Sequence, residues 1–265
     1  METERPAAVA GAFYSGDAES LGREVDTLLA QAPAADGAAP KAIISPHAGF
    51  MYSGTVAALL YARLGPVADE IRRVVLMGPS HFVPFDGIAA PAAERFRTPL
   101  GAVPVDSEAM AVALAQPGVH TLDAAHAREH SLETQLPFLQ RVLGDFRIVP
   151  LVTGGTTPEQ TGAVLEALWG GPETLVVISS DLSHFHDDAT ARRLDRTTAQ
   201  AVEALDVEAL DYDGACGRDA IRGLLWVARR HGARVHTVAL RNSADAGAPP
   251  DRVVGYGAFT VEEAA

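Results

Sequence analysis

Residues 41–49 read Lys41-Ala42-Ile43-Ile44-Ser45-Pro46-His47-Ala48-Gly49, a short apolar run that leads into a histidine with a proline before it and Ala48-Gly49 after it. Two more segments follow the same plan: Val74 to Met77 leads into Gly78-Pro79-Ser80-His81, and Leu175 to Ile178 leads into Ser179-Ser180-Asp181-Leu182-Ser183-His184. Short, continuous apolar runs are typical of strands buried on both faces of a sheet. The sequence therefore predicts three buried strands, each followed by residues capable of proton transfer or metal binding.

Other apolar patterns extend this plan along the chain. Three further segments have strand character: Arg147 to Val152, Val235 to Leu240 and Tyr256 to Val261. Helical spacing of apolar residues is found in Ala18 to Leu29, Thr55 to Leu64, Ser107 to Ala115, Leu132 to Leu143, Thr161 to Trp169 and Thr190 to Leu205. This alternation predicts an α/β fold in which helices flank a central mixed or mostly parallel sheet of five or six strands. We expect a single layered domain over residues 1–265, with residues 32–40 as a short connection.

Charge and cysteine content narrow the classes of function. The formal net charge is −13 over 265 residues, which repels phosphate, and no basic cluster offsets it. We therefore expect no nucleic-acid partner and no membrane partner. The first residues lack the features of a signal peptide, no apolar run approaches bilayer length, and the single cysteine excludes an intramolecular disulfide. These features predict a cytoplasmic location.

His47 and His81 are the first candidates for a chemical role. Ligands of open α/β sheets collect beyond the carboxyl ends of the strands, so two histidines at such ends can face one pocket. Neutral imidazoles there suit a metal ion, although His47 could instead be satisfied by a carbonyl group in its own turn. Two protein ligands rarely suffice for a catalytic metal, so a third candidate is needed.

Cys216 is that third candidate. The segment Gly214-Ala215-Cys216-Gly217 precedes an amphipathic helix whose apolar positions include Ile221, Leu224, Leu225 and Ala228. A helix N-terminus favours the thiolate, the form of cysteine that binds metals. On local sequence alone, burial as a small hydrophobic residue remains the commoner fate of a lone cysteine.

The segment from Ser179 to His184 supplies a carboxylate and an imidazole three positions apart. If the segment turns helically, Asp181 and His184 share one face, where His184 can move a proton and Asp181 can orient it or bind a metal's water. Asp181 could equally be a helix cap.

The segment Glu129-His130-Ser131-Leu132-Glu133 opens another predicted helix. Capping by Ser131 and the nearby carboxylates is about as plausible there as a chemical role. His126 and His186 have the character of surface residues or of residues behind a site, and no role is assigned to them.

Taken in order, these segments resemble the MEMO family over almost the whole chain. The resemblance is to the type found as protein B of the AmmeMemoRadiSam system, and the family's fold is similar to that of class III extradiol ring-cleaving dioxygenases. The motifs that carry it are Arg5-Pro6-Ala7-Ala8-Val9-Ala10-Gly11-Ala12-Phe13-Tyr14, Pro46-His47-Ala48-Gly49-Phe50-Met51-Tyr52-Ser53-Gly54, Gly78-Pro79-Ser80-His81, Glu129-His130-Ser131-Leu132-Glu133, Pro137-Phe138-Leu139, Ser179-Ser180-Asp181-Leu182-Ser183-His184, Cys216-Gly217-Arg218 and Arg241-Asn242-Ser243.

The resemblance implies roles for residues of those motifs. It assigns metal binding to His47, His81 and Cys216, which reverses the reading of Cys216 from its local sequence. It also places the Asp and His of the Ser-Ser-Asp-x-x-His segment in the same pocket. In the ring-cleaving enzymes the corresponding histidine is the acid/base, so catalytic roles fall to His184 and Asp181. Tyr52 and His130 are predicted substrate contacts.

The predicted third ligand, Cys216, limits how far the reaction of the ring-cleaving dioxygenases can be expected here. Ring-cleaving dioxygenases hold iron with two histidines and a carboxylate, whereas the third ligand here would be a thiolate, so ring cleavage does not carry over directly. Iron(II) or copper is the expected cofactor, and zinc also fits.

The leading hypothesis is a metal-dependent oxidoreductase acting on a small-molecule aromatic or peptide substrate. The alternatives are a non-catalytic peptide-binding or adaptor protein and a zinc hydrolase, and protease-like use of Cys216 ranks last. Bacterial and archaeal relatives are often encoded with a radical-SAM protein and an AMMECR-type protein, which implies pathway partners of those kinds.

Overall fold

Strands and helices alternate along most of the chain in the computed structural model, which describes residues 3–33 and 39–263. Part of the predicted connection over residues 32–40, namely residues 34–38, lies outside the described residues. The strands are β1 (Glu4–Arg5), β2 (Ala42–Ser45), β3 (Arg73–Pro79), β4 (Ile88–Ala90), β5 (Arg95–Thr98), β6 (Gly101–Pro104), β7 (Val119–Thr121), β8 (Arg147–Thr153), β9 (Thr174–Ser179), β10 (His184–His186), β11 (Arg234–Asn242) and β12 (Val253–Glu262). The α-helices are α1 (Ala18–Gln31), α2 (Phe50–Tyr61), α3 (Ser107–Leu114), α4 (Asp123–Ala127), α5 (Leu136–Val142), α6 (Pro158–Leu168), α7 (Asp188–Glu203) and α8 (Arg218–Arg230).

Four parallel strands form the middle of a nine-stranded mixed sheet, in the order β2-β9-β3-β8. Beside β2 lies β12, which pairs antiparallel with β2, β10 and β11, while β4 and β7 extend the sheet beyond β8. A separate three-stranded sheet has the order β1-β5-β6. The predicted α/β class with a central mixed sheet is confirmed. The expected number of strands was too small because short strands such as β4 and β7 lack a long apolar run.

The central strands are buried along almost their whole length, which is why they read as continuous apolar runs. The buried hydrophobic side chains form one cluster that includes residues of all four central strands. One group of helices, α1, α2 and α5, packs together; a second group consists of α3, α6 and α8; and α7 lies against β11 and β12. None of the described helices is long and apolar enough to cross a membrane.

One predicted helical segment is divided in the structure, and a helical turn considered for another segment does not form. The pattern from Leu132 to Leu143 is divided into a 3₁₀ turn at Glu133–Gln135 and helix α5, which carries Pro137 in its first turn, where a missing backbone N–H is tolerated. The segment from Ser179 to His184 contains no helix: β9 ends at Ser179, an irregular loop follows, and His184 begins β10. The conditional prediction that Asp181 and His184 share a helix face is therefore wrong.

The sheet brings three of the candidate residues to the same edge. His47 lies two residues beyond the end of β2, His81 two residues beyond β3, and Asp181 two residues beyond β9. Because β2, β9 and β3 are parallel and neighbouring in that order, their carboxyl ends open on one side of the sheet. This edge is where α/β proteins commonly bind ligands.

Candidate metal centre

His47, His81 and Cys216 converge beyond the carboxyl ends of the central strands. One potential ligand atom from each residue lies within 4.8 Å of the other two, and Cys216 Sγ is 3.4 Å from His47 Nε2. Bonds of about 2.0–2.3 Å to one ion place tetrahedral ligand atoms roughly 3–4 Å apart. The three side chains thus fit a metal ion with only small adjustments, and they leave further coordination positions open.

A chain of hydrogen bonds fixes the proton on the ring of His47. Gln135 Nε2 donates to the carbonyl oxygen of Pro46 at 2.9 Å and to Ser179 Oγ at 3.0 Å. The Ser179 hydroxyl in turn donates to the carbonyl oxygen of Ser131 at 2.6 Å. Ser179 Oγ can therefore only accept from His47 Nδ1, which lies 2.9 Å away. With its proton on Nδ1, His47 keeps a lone pair on Nε2, the atom nearest Cys216.

Tyr61 connects this series of hydrogen bonds to the hydrophobic core. Its hydroxyl donates to Gln135 Oε1 at 2.7 Å, which orients the amide so that Nε2 faces Ser179. The Tyr61 ring stacks on Phe138 with a centroid distance of 5.1 Å and an interplanar angle of 7°. Burial raises the pKa of Tyr61, so its hydroxyl remains a donor. Burial also holds the pKa of His47 well below its ordinary value, with His81 adding to the effect, which favours the neutral imidazole that a metal needs.

Glu129 holds the second histidine in the same way. Its Oε1 accepts from His81 Nδ1 at 2.8 Å, and its Oε2 accepts from the backbone N–H of His81 at 2.7 Å. Although burial alone would raise the pKa of Glu129, the hydrogen bonds and charge of His81 lower it to about 2. A carboxylate behind a histidine is the arrangement that orients metal ligands in many proteins, because it leaves Nε2 free to bind.

Cys216 lies immediately before Gly217, the N-cap residue of α8, as the sequence predicts. The glycine is required by packing, since a Cβ at position 217 would come within 2.7 Å of the carbonyl oxygen of Ser179. The expected stabilisation of the thiolate by the helix end is outweighed: burial, followed by the charge of Asp181, raises the pKa of Cys216. A bound cation would reverse this balance, because metals bind the deprotonated sulfur.

Asp181 and His184 reach the site from the loop between β9 and β10. Asp181 Oδ1 accepts from the backbone N–H of His47 at 2.8 Å, and Oδ2 lies 3.9 Å from His47 Nε2. Burial raises the pKa of Asp181 despite that hydrogen bond. His184 Nδ1 donates to the carbonyl oxygen of Leu182 at 2.7 Å, which leaves Nε2 for other partners. The loop is fixed by Gly255, which donates to Ser183 and accepts from Leu182, both at 2.8 Å.

His130 and Tyr52, the predicted substrate contacts, differ in position. The ring of His130 stacks on His81 at 4.5 Å and meets the ring of His47 edge-on at 5.4 Å, so it packs against both candidate ligands. Tyr52 lies in the first turn of α2 with 36% of its surface exposed. The Tyr256 side chain is buried, and burial followed by the charge of Asp181 raises its pKa.

Sequence reasoning gave no role to several residues that build the site. Ser179 and Gln135 were missed as the partners that orient His47, and Glu129 was not distinguished from a helix cap. Their only signal was position: Ser179 opens the segment that contains Asp181, and Glu129 precedes His130. Tyr256 was missed altogether, because it lies within an apolar strand.

His126 is buried, so the first of its two predicted alternatives, a surface residue, is wrong, and the second, a residue behind the site, stays a prediction. Its Nε2 donates to the carbonyl oxygen of Ala89 at 3.0 Å, and its own carbonyl oxygen accepts from Arg5 Nε at 3.0 Å.

Comparison with known proteins shows what the chain is similar to. The family model described as "Memo-like protein" matches residues 5–260. A "MEMO1 family protein" of Aquifex aeolicus (strain VF5) is 37% identical over 212 residues, covering 78% of each chain. Proteins of the same description from Ignicoccus hospitalis and Methanosarcina acetivorans are each 35% identical, covering 96% and 99% of this chain and 97% and 100% of their own.

The chain is also similar in fold to solved structures. An uncharacterized protein of Escherichia coli K12 matches with a TM-score of 0.54 at 13% sequence identity, covering 83% of this chain and 98% of its own. At that identity the match supports the fold alone, whereas the relatives from Ignicoccus hospitalis and Methanosarcina acetivorans match nearly from end to end. The chain therefore belongs to the Memo-like, or MEMO1, protein family.

Proposed function

We propose that this protein is a metal-dependent oxidoreductase whose iron or copper ion is held by His47, His81 and Cys216. The observation that carries the proposal is the convergence of two imidazoles, each with its Nδ1 engaged by a protein oxygen, on one cysteine sulfur. Nitrogen and sulfur donors suit iron and copper, and three protein ligands leave positions for oxygen or substrate.

The bound metal would supply redox and oxygen chemistry that side chains lack. His184 is the proposed acid/base, because its Nδ1 is held by the Leu182 carbonyl and its Nε2 can take or give a proton at the substrate. Asp181 holds the backbone of His47 and places a buried carboxyl group beside the ligand atoms. Its burial disfavours charge, so Asp181 can hold a proton beside the ligand atoms. The substrate class is an aromatic molecule or a peptide.

A zinc hydrolase is the second candidate, and the same donor set favours it. Zinc binds both histidine and cysteine, and catalytic zinc sites combine three protein ligands with a bound water whose pKa the zinc lowers. The two candidates differ in redox response, because zinc does not change oxidation state.

The test is metal analysis by mass spectrometry on protein purified without a histidine tag, followed by anaerobic reconstitution with iron(II) or copper(I). We expect one ion per chain, loss of most binding in H47A and C216S, and oxygen uptake with catechols or peptides in the reconstituted wild type. H236A is the matched control, because the His236 side chain is 55% exposed and pairs with Glu262 away from the site.

Unchanged metal binding in C216S and H47A would overturn the proposed site. Zinc as the ion retained on purification, with no oxygen uptake by the iron- or copper-loaded protein, would overturn the oxidoreductase and favour the hydrolase.

A further inference from the structure

Two exposed phenylalanines border the candidate metal centre. The chain has nine phenylalanines, all within the described residues, and only Phe82 and Phe185 are exposed, at 46% and 60%. Each directly follows a histidine of the site, His81 or His184. The Phe82 ring meets the His130 ring at 6.0 Å, and the Phe185 ring meets the His184 ring at 5.6 Å, both nearly edge-on. Both exposed phenylalanines thus lie at the border of the site.

The backbone of Phe185 adopts a conformation that is unfavourable for a phenylalanine. Its φ is 63°, in the left-handed region, and Leu205 is the other non-glycine residue with positive φ in the part of the chain described. Phe185 is the extra residue of a bulge in β10, because His184 pairs with Val254 and His186 with Val253. Bulges beside active sites re-aim side chains, and a bulky residue in this conformation is strained. Burial does not compensate the strain, since the ring is mostly exposed.

An arginine guanidinium lies over each of these two phenylalanine rings. The guanidinium of Arg252 lies 4.4 Å from the centroid of the Phe185 ring, and that of Arg128 lies 4.8 Å from the centroid of the Phe82 ring. Among the described residues, neither arginine forms an ion pair with a carboxylate, although the chain carries 34 acidic residues. A guanidinium with no carboxylate partner can bind an external carboxylate or phosphate with two parallel hydrogen bonds.

We propose that the Phe82–Arg128 and Phe185–Arg252 pairs recognise the substrate as an aromatic acid, with its ring against a phenylalanine and its carboxylate or phosphate on a guanidinium. The inference rests on the proposed function only in taking the metal centre as the place of reaction. It names the substrate class and explains why a strained, exposed ring stands beside His184. Aromatic contacts and charge-assisted hydrogen bonds together give selectivity that neither gives alone.

The test measures binding of two fluorescent aromatic acids, 2-naphthoate and 2-naphthyl phosphate, to the full-length protein by fluorescence anisotropy. Binding to metal-free protein is followed first, so that the result does not depend on turnover. Two competitors each lack one of the recognised groups: 2-naphthol lacks the anionic group, and cyclohexanecarboxylate lacks the aromatic ring. We expect both to compete at least about tenfold more weakly than benzoate or phenyl phosphate, which have both groups. The acid that binds more tightly identifies the anion as carboxylate or phosphate.

The variants are F185L, R252Q, F82L and R128Q, all at exposed rings or their arginines. We expect each to weaken binding of the naphthyl acids about threefold to tenfold. R230Q is the matched control, because Arg230 lies 4.7 Å from the Trp226 ring in a similar pair at the end of α8, away from the metal centre.

Binding that is equal in all four variants and in R230Q would overturn the proposal, as would competition by 2-naphthol as strong as that by benzoate. Metal content is measured in parallel and should be unchanged in the four variants. Failure of the metal or oxygen tests with intact naphthyl-acid binding would reject the oxidoreductase while leaving this recognition site in place.

Discussion

Acid should destabilise this protein through His126, a buried histidine outside the candidate metal centre. Its side chain is 2% exposed, its Nε2 donates to Ala89, and its Nδ1 has no hydrogen-bond partner among the described residues. Burial, reinforced by the nearby charge of Arg5, lowers the pKa of His126 from 6.5 to about 4. The folded protein therefore keeps this ring neutral at a pH where the unfolded chain protonates it.

The size and sign of the effect follow from proton linkage. Above pH 6.5 both states hold a neutral ring, so the contribution of His126 to stability is fully present there. Between pH 6.5 and about 4 only the unfolded state gains a proton, so the free energy of unfolding falls as the pH falls. At about 1.4 kcal/mol per pH unit, the loss over this window is about 3 kcal/mol.

The assay is urea unfolding of wild type and H126Q at several pH values between 7.5 and 4. Glutamine can keep a donor for the Ala89 carbonyl oxygen but does not titrate, so the variant should lose less stability than wild type on acidification, by about 3 kcal/mol over the window. H236Q, which removes an exposed histidine, should follow wild type. Parallel curves for wild type and H126Q would refute the reasoning.

Two further substitutions test the site and its border. E129Q should weaken metal binding about tenfold to a hundredfold in a chelator competition, because a neutral amide orients His81 less strongly than the carboxylate; affinity equal to wild type would contradict the role given to Glu129. F185G should be more stable than F185A by about 1 kcal/mol in urea unfolding, because glycine accepts the left-handed backbone that alanine resists. Equal stability of the two variants would show that position 185 carries no backbone strain.

Much of the sheet could be predicted from sequence because its central strands are buried on both faces. That burial produces the apolar runs before His47, His81 and Asp181, and it fixes the fold class. The order of the strands could not be read in this way, since β9 lies between β2 and β3 although it comes much later in the chain. Periodicity reports which residues are buried and carries no information on which strands pair.

Only part of the candidate site could be predicted from the sequence. His47 and His81 stand at strand ends with little else to explain them, whereas the family resemblance was needed to single out Cys216. The orienting residues Gln135 and Glu129 could not be found, because their importance arises from contacts between segments far apart in sequence. The metal itself, and the roles of His184 and Asp181, stay predictions.

The order of the central strands determines when the candidate metal centre can form during synthesis on the ribosome. The strands before His47 and His81 follow each other in the chain, yet they do not pair; each pairs instead with β9, whose last residue is Ser179. A nascent chain that ends before β9 holds both histidines without the strand that sets their separation, and without Ser179 to orient His47. The three-ligand centre can therefore assemble only after the second half of the chain, which supplies β9 and Cys216, is made.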